Sequence, residues 1–274
     1  MKPSRAGLPI GVFDSGIGGL TVARALRRAL PREDLVYLGD TARVPYGTKS
    51  PATVVRFARE DACFLLEQKV KAIVVACNTA SAWALPALER EFDLPIFGVI
   101  FPGARAAVAR SRNGRIGVIG TRATIRSEAY RRAILELAPE AVVLTQACPL
   151  LVPLVEEGWT NHLVTATILR EYLRQLLDEG VDTLVLGCTH YPLLKPAIRA
   201  VAGSEVALID SAASCSRYVR DRLTALGLLA ERRVRKGTFR PFVTDDAAHF
   251  GALARRFLGG HVPAAEKAEL PTLG

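Results

Sequence analysis

Long apolar runs are missing from this 274-residue chain. Half of its residues are hydrophobic, yet no run approaches the roughly 20 apolar residues that a membrane-spanning helix needs. The opening MKPSRAGLPI lacks the apolar stretch and small-residue cleavage site of a secretory signal. We therefore expect a cytoplasmic protein with no membrane partner. Cysteine and histidine are sparse and scattered. Cys63, Cys77, Cys148, Cys188 and Cys215 form no CxxC pair, and His162, His190, His249 and His261 lie far apart. This pattern argues against a disulfide framework and against a structural zinc site, and free thiols fit a reducing compartment.

The formal net charge is +9, and the densest basic stretch is ERRVRKGTFR (231–240). It contains no recognisable nucleic-acid motif, and arginine is abundant throughout the chain. The stretch reads as solvated surface, and no nucleic-acid partner is expected.

What the sequence does contain is one pattern written twice. Short runs rich in Val, Ile and Leu fall at 8–13, 34–39, 71–76 and 94–100, then again at 114–120, 141–146, 182–187 and 205–210. Each is apolar on both alternations, as strands covered on both faces are. Amphipathic helices lie between them. LTVARALRRAL (20–30) places Leu20, Ala23, Leu26 and Leu30 on one face before Pro31. NHLVTATILREYLRQLLDEG (161–180) opens on a candidate Asn161 cap and ends at Gly180. Strands alternating with helices predict parallel α/β architecture.

IGVFDS (10–15) and IGVIGT (116–121) lie 106 residues apart, and IVVAC (73–77) and LVLGC (184–188) lie 111 apart. This reads as a duplication. The expected fold is α/β, with two similar parallel-sheet domains related by pseudo-two-fold symmetry and a site in the cleft between them. The first domain is placed at 1–100 plus 212–274 and the second at 101–211. The residues after 210 read as helical, including 216–229 and 245–259, and the last fourteen as a frayed tail.

In open α/β sheets ligands bind beyond the carboxyl ends of the strands. The first run ends in DSGIGG, with Asp14 and Ser15 ahead of glycines that permit a tight turn onto a helix N-terminus. Thr21 stands where a dinucleotide fingerprint needs its last glycine. The second run leads to GDTARVPYGTKSP, with Tyr46 and Gly47. The third ends in Cys77-Asn78-Thr79. In the second half the corresponding positions hold Thr121 and Thr124, then Glu156 and Glu157, then Cys188-Thr189-His190. A single buried cysteine is usually an inert small hydrophobe, which is the reading for Cys63 and Cys215. Cysteines at equivalent strand ends of two repeats, each followed by polar side chains, call for chemistry.

Facing halves would bring these thiols to opposite sides of one ligand. A redox pair, a single nucleophile with a bystander, and two-sided proton transfer all use such a layout. The third matches it best: inverting a stereocentre needs a base on one face of a carbon and an acid on the other. A thiol, with an ordinary pKa of about 8.5, is suited to the task. A carboxylate beside either cysteine would disfavour its thiolate.

DSGIGGLTV, GDTARVPYG, ACNTASA, CPLLVPLVEEG and GCTHYPLL resemble, in order, motifs of the bacterial glutamate racemases, from about residue 9 to 211. The resemblance implies cofactor-independent conversion of L- to D-glutamate for peptidoglycan synthesis, commonly by a homodimer. It implies that Cys77 acts on the D-substrate and Cys188 on the L-substrate. Asp14 would assist the first thiol, with Glu156 and His190 near the second. It assigns substrate binding to Asp14, Ser15, Tyr46, Gly47, Asn78, Thr79, Thr189 and His190, with Thr121 and Thr124 as further candidates. Glu156 is preferred to Glu157 on the match to PLVE. Related aspartate racemases tend to have Glu where His190 stands, which favours glutamate. No lysine sits in a pyridoxal-phosphate motif, so no such cofactor is expected, and no metal. A non-catalytic amino-acid sensor and a thiol redox protein are the rival readings.

Overall fold

The computed structural model describes residues 5–231, 236–260 and 262–272. His261 and the centre of the basic stretch, 232–235, lie outside them. The eight expected strands are present: β1 (Ile10–Asp14), β2 (Leu35–Gly39), β3 (Ala72–Val75), β4 (Ile96–Gly98), β5 (Arg115–Gly120), β6 (Val142–Ala147), β7 (Thr183–Gly187) and β8 (Ala207–Asp210). Two further strands follow, β9 (Phe239–Val243) and β10 (Glu266–Lys267).

The strands form two parallel sheets, each in its own α/β domain. One runs β10-β9-β2-β1-β3-β4 and the other β6-β5-β7-β8. The order 2-1-3-4 of the first four strands is thus repeated by the second four. Register follows the repeat: Ile10 pairs with Ala72, and Ile116, 106 residues after Ile10, pairs with Thr183. Strands β1, β2, β3 and β7 are buried along their whole lengths, which is why their sequences are apolar on both alternations.

The C-terminal region corrects one expectation. Residues 239–243 are not helical but form β9, parallel to β2 from Leu35↔Phe239 to Gly39↔Val243, and β10 then pairs with Phe242 and Val243. Pro241 and Arg240 disguised this strand. Proline donates nothing to a ladder, and it is tolerated because the short β10 begins only opposite Phe242. The supposed tail is therefore partly sheet. The helices flanking β9 are Ser211–Ala225 and Ala247–Leu258.

The helix expected over 161–180 spans Leu163–Asp178, and its cap is His162 rather than Asn161: the Val164 N–H donates to His162 Nδ1 at 3.1 Å. An unprotonated imidazole nitrogen serves there as Asn or Asp would. Helix Leu20–Ala29 buries Leu20, Ala23 and Leu26 against Ser211–Ala225. No helix among the described residues is long and apolar enough to cross a membrane.

At the amino edge of the second sheet, Asp182 ties down the segment entering β5. Its carboxylate accepts from Ser111 Oγ at 2.7 Å, Arg112 N at 2.6 Å and Asn113 N at 2.8 Å. Burial opposes ionisation, but these donors prevail and hold its pKa below the usual aspartate value. Replacing Asp182 with Ala strands three donors and should cost about 2–4 kcal/mol. Because the folded-state pKa is depressed, this contribution is fully present above the unfolded value and is lost as pH falls from there through the folded value. Urea denaturation of wild type and Asp182→Ala at pH 7 and in acid should therefore show a gap that narrows with acidity.

Candidate active site

A cavity of about 570 Å³ opens at the carboxyl ends of the strands, walled by both domains. Ser15, Tyr46, Gly47, Cys77, Asn78 and Thr79 line it from the first domain, and Thr121, Glu156, Cys188, Thr189 and His190 from the second. Two sequence candidates sit behind the wall. Asp14 is buried beneath the β1 turn, and Thr124 is buried behind Thr121.

Cys77 ends the segment after β3 and caps helix Asn78–Trp83, its Sγ accepting from Ala80 N at 3.5 Å. Its thiol faces Ser15 Oγ at 3.5 Å. Burial, and then the Asp14 carboxylate, push this thiol up to about 12. Asp14 is itself raised by burial, against the opposing charge of His190 and the N–H groups of Gly19 and Gly16. Its Oδ2 accepts from Gly16 N at 3.1 Å, and its Oδ1 has no hydrogen-bond partner among the described residues.

Cys188 stands at the matching place after β7. His190 Nδ1 lies 3.9 Å from its Sγ, and His190 Nε2 lies 2.9 Å from Glu156 Oε1. Burial pulls this imidazole down, but the interactions with Cys188 and Glu156 outweigh it and raise it to about 10. His190 is thus an imidazolium through neutrality, placed between a carboxylate and a thiol. Phe257 packs edge-on against its ring at 5.2 Å. Of the two adjacent glutamates, Glu156 meets His190, while Glu157 is exposed and lines a separate groove.

Hydroxyls close the far side. Thr79 Oγ1, Thr121 Oγ1 and Thr124 Oγ1 lie 3.0 Å from one another, joining the two domains. Asn78 Oδ1 accepts from Tyr130 Oη at 2.7 Å, which leaves its buried Nδ2 without a partner beside the cavity. Two of these three hydroxyls, on Thr79 and Thr121, line the cavity together with the unpaired amide N–H₂, groups able to donate to an anion. The Tyr46 hydroxyl is turned away, toward Asp40 and Asp61. Gly47 permits its loop to reach the second domain, since a Cβ there would lie 2.8 Å from Thr121 Cβ.

Sequence reasoning missed Arg122, Leu150, Val152 and Tyr172, which also line the cavity, and Tyr130, which orients Asn78. Arg122 adjoins the Thr121–Thr124 signal. Tyr130 lies in an ordinary amphipathic helix and carries no local mark. Among the described residues no group of three or more His, Cys, Asp and Glu side chains is arranged to hold a metal, and Cys63, Cys148 and Cys215 do not line the cavity.

The family model for Asp/Glu/hydantoin racemases matches residues 10–218. A glutamate racemase from Geobacter metallireducens is 55% identical over 251 residues, 92% of this chain and 93% of its own length. Among solved structures, the Thermus thermophilus glutamate racemase in complex with β-chloro-D-alanine superposes with a TM-score of 0.88 at 50% identity, covering 98% of this chain and 99% of that one. The Francisella tularensis glutamate racemase in complex with D-glutamate gives 0.89 at 38% identity, covering 96% and 98%. With similarity of this depth over nearly the whole length, and two cysteines at the wall of one cavity, the chain belongs to the Asp/Glu/hydantoin racemase family, as a glutamate racemase.

Proposed function

We propose that this enzyme inverts Cα of glutamate by two-sided proton transfer between Cys77 and Cys188, without a cofactor, and so supplies D-glutamate for peptidoglycan in the cytoplasm. The observation that carries this reading is the placement of two buried cysteines, from equivalent strand ends of two like domains, on a single cavity. The domains are taken as 1–100 with 212–274 and 101–211, and the working form as a homodimer. Light scattering on the purified protein measures the latter.

In the L-to-D direction the Cys188 thiolate takes the Cα proton, and the Cys77 thiol delivers its own proton to the opposite face. The reaction ends with thiol at 188 and thiolate at 77, and the D-to-L direction reverses it. The surroundings support this assignment. Cys77, raised by burial and Asp14, is the resting acid, and Cys188 has the His190 ring nitrogen 3.9 Å from its sulfur as a proton-transfer neighbour. Ser15, Asn78, Thr79, Thr121 and Thr189 supply hydroxyl and amide donors for the substrate carboxylates and the Tyr46–Gly47 loop lies against the substrate, while Thr124 and Asp14, behind the wall, act through Thr121 and Cys77.

Circular dichroism of L-glutamate should decay to zero with protein alone, and in D₂O the product should carry deuterium at Cα. A persistent signal, or unlabelled product, refutes the reading. Cys77→Ala and Cys188→Ala should each lose at least roughly 10²–10⁴-fold in turnover, whereas a non-catalytic sensor would keep its glutamate affinity in both variants.

The His190 cation is present below its raised pKa and is lost as pH rises through about 10. Activity should fall on that alkaline limb. His190→Asn should remove the limb and lower kcat/KM by roughly 10–100-fold, the worth of one charge-assisted hydrogen bond. Because it weakens the group that deprotonates L-glutamate, the α-deuterium isotope effect should grow more for the L- than for the D-substrate.

A further inference from the structure

The loop carrying Tyr46 and Gly47 to the cavity is anchored in a buried carboxylate cluster that the proton transfers above do not use. Arg43 spans the cluster. Its Nε donates to Asp40 Oδ2 at 2.6 Å, its Nη1 to Glu60, and its Nη2 to Asp61 Oδ1 at 3.1 Å. The guanidinium also lies 4.1 Å from the Phe57 ring centre. Thr244, just after β9, donates to Asp40 Oδ1 at 3.0 Å. Tyr46 Oη contacts Asp40 Oδ2 and, at 3.0 Å, Asp61 Oδ2. Asp40 and Asp61 have no exposed surface.

The hydrogens in this arrangement can be counted. A phenol has one, and its closer contact is with Asp40. The Tyr46 oxygen and Asp61 Oδ2 then face each other as two acceptors, and their contact is attractive only if a hydrogen lies between them. Tyr46 keeps its own proton, because burial and the neighbouring Asp61 and Asp40 raise its pKa well above the usual tyrosine value. The second hydrogen must therefore belong to Asp61, which burial and then Asp40 push well above the ordinary carboxylate range. Charge leads to the same placement. Three ionised carboxylates against one guanidinium would set two net negative charges directly behind a wall that receives an anionic substrate. A neutral Asp61 halves that repulsion.

We propose that Asp61 is a neutral carboxylic acid whose hydroxyl donates to Tyr46, and that Arg43 and Asp61 are positioning residues holding the Tyr46–Gly47 loop against the cavity for an anionic substrate. The substrate part of this proposal rests on the glutamate reading above. The charged and titratable groups facing Asp61 are Asp40, Arg43, Tyr46 and Glu60, with Tyr37 on β2 interacting from farther off.

Asp61→Asn mimics the protonated acid: its amide N–H₂ can donate to Tyr46 and its carbonyl can accept from Arg43. Its KM for glutamate should stay within about twofold of wild type, whereas Asp61→Ala and Arg43→Met should raise KM at least about tenfold with kcat within about threefold. Asp40→Asn, which replaces the carboxylate that Tyr46 contacts more closely, should also raise KM. The infrared difference spectrum of wild type minus Asp61→Asn at neutral pH should contain a protonated-carboxyl C=O band. The absence of that band, or an Asp61→Asn KM as high as that of Asp40→Asn, overturns the proposal. If Asp61→Ala does not fold, Asp61→Asn and the band decide. The band is read without turnover, so a wild type that shows it yet leaves glutamate unchanged refutes the racemase reading and supports the proton assignment.

Discussion

The site depends on how closely the turn after β1 approaches the end of β7. At Gly18 an added Cβ would lie 2.3 Å from Thr189 Oγ1 and 2.4 Å from His190 Nδ1, separations that real atoms do not tolerate. The Thr21 hydroxyl, on the second residue of the next helix, lies 2.9 Å from both the Gly18 and the Thr189 carbonyls. On the other side of the cavity the three threonine hydroxyls make a second bridge. These two bridges tie the domains together on either side of the cavity that Cys77 and Cys188 line. The proposed proton transfer to opposite faces of one carbon requires the two walls to be held closely, since an ångström of misplacement is expensive in rate. Gly18 of DSGIGG thus serves domain approach, where a nucleotide fingerprint would use its glycines to admit a phosphate.

Equal topology does not make the two thiols equal. Cys77 has the Asp14 carboxylate close behind it, and Cys188 has an imidazolium tied to Glu156. The first setting opposes a thiolate, whereas the second sets a ring nitrogen 3.9 Å from the sulfur. The proposed two-sided proton transfer, which starts from one thiol and one thiolate, needs such an asymmetry, because two identical settings would leave the proton distribution undecided. The duplication supplies the geometry, and the residues flanking each cysteine supply the polarity.

The fold was legible where burial acts on both faces of a strand. β1 to β8 announced themselves as apolar runs, and the offsets of 106 and 111 residues exposed the repeat before any coordinates. β9 escaped because Arg240 and Pro241 interrupt its pattern, and β10 because two exposed charged residues carry no hydrophobic signal. The His162 cap escaped because imidazole rarely takes that role. The cavity's polar wall was legible because strand ends locate it. Tyr130, Arg43 and Asp61 were not, since each acts through another side chain across a long sequence separation, and no local pattern encodes such a contact.

The two halves also share a mechanical device that their sequences conceal. Lys71 and Asp182 are 111 residues apart, each just ahead of the third strand of its domain. Lys71 has no exposed surface; its Nζ donates to Ala6 O at 2.7 Å and pairs with Glu33. Asp182 accepts from Ser111, Arg112 and Asn113. Ala6 lies just before β1, and Ser111–Asn113 just before β5. In both domains a buried charge at the start of the third strand grips the segment feeding the first, with opposite sign and complementary partners. A buried charge is tolerated only when fully paired, so each grip fixes its strand entry as firmly as its partners are placed. What the repeats hold in common at this edge is therefore a constraint on position. At the carboxyl edge, where the cysteines stand, the residue itself is held in common, as the proposed transfer between two thiols requires.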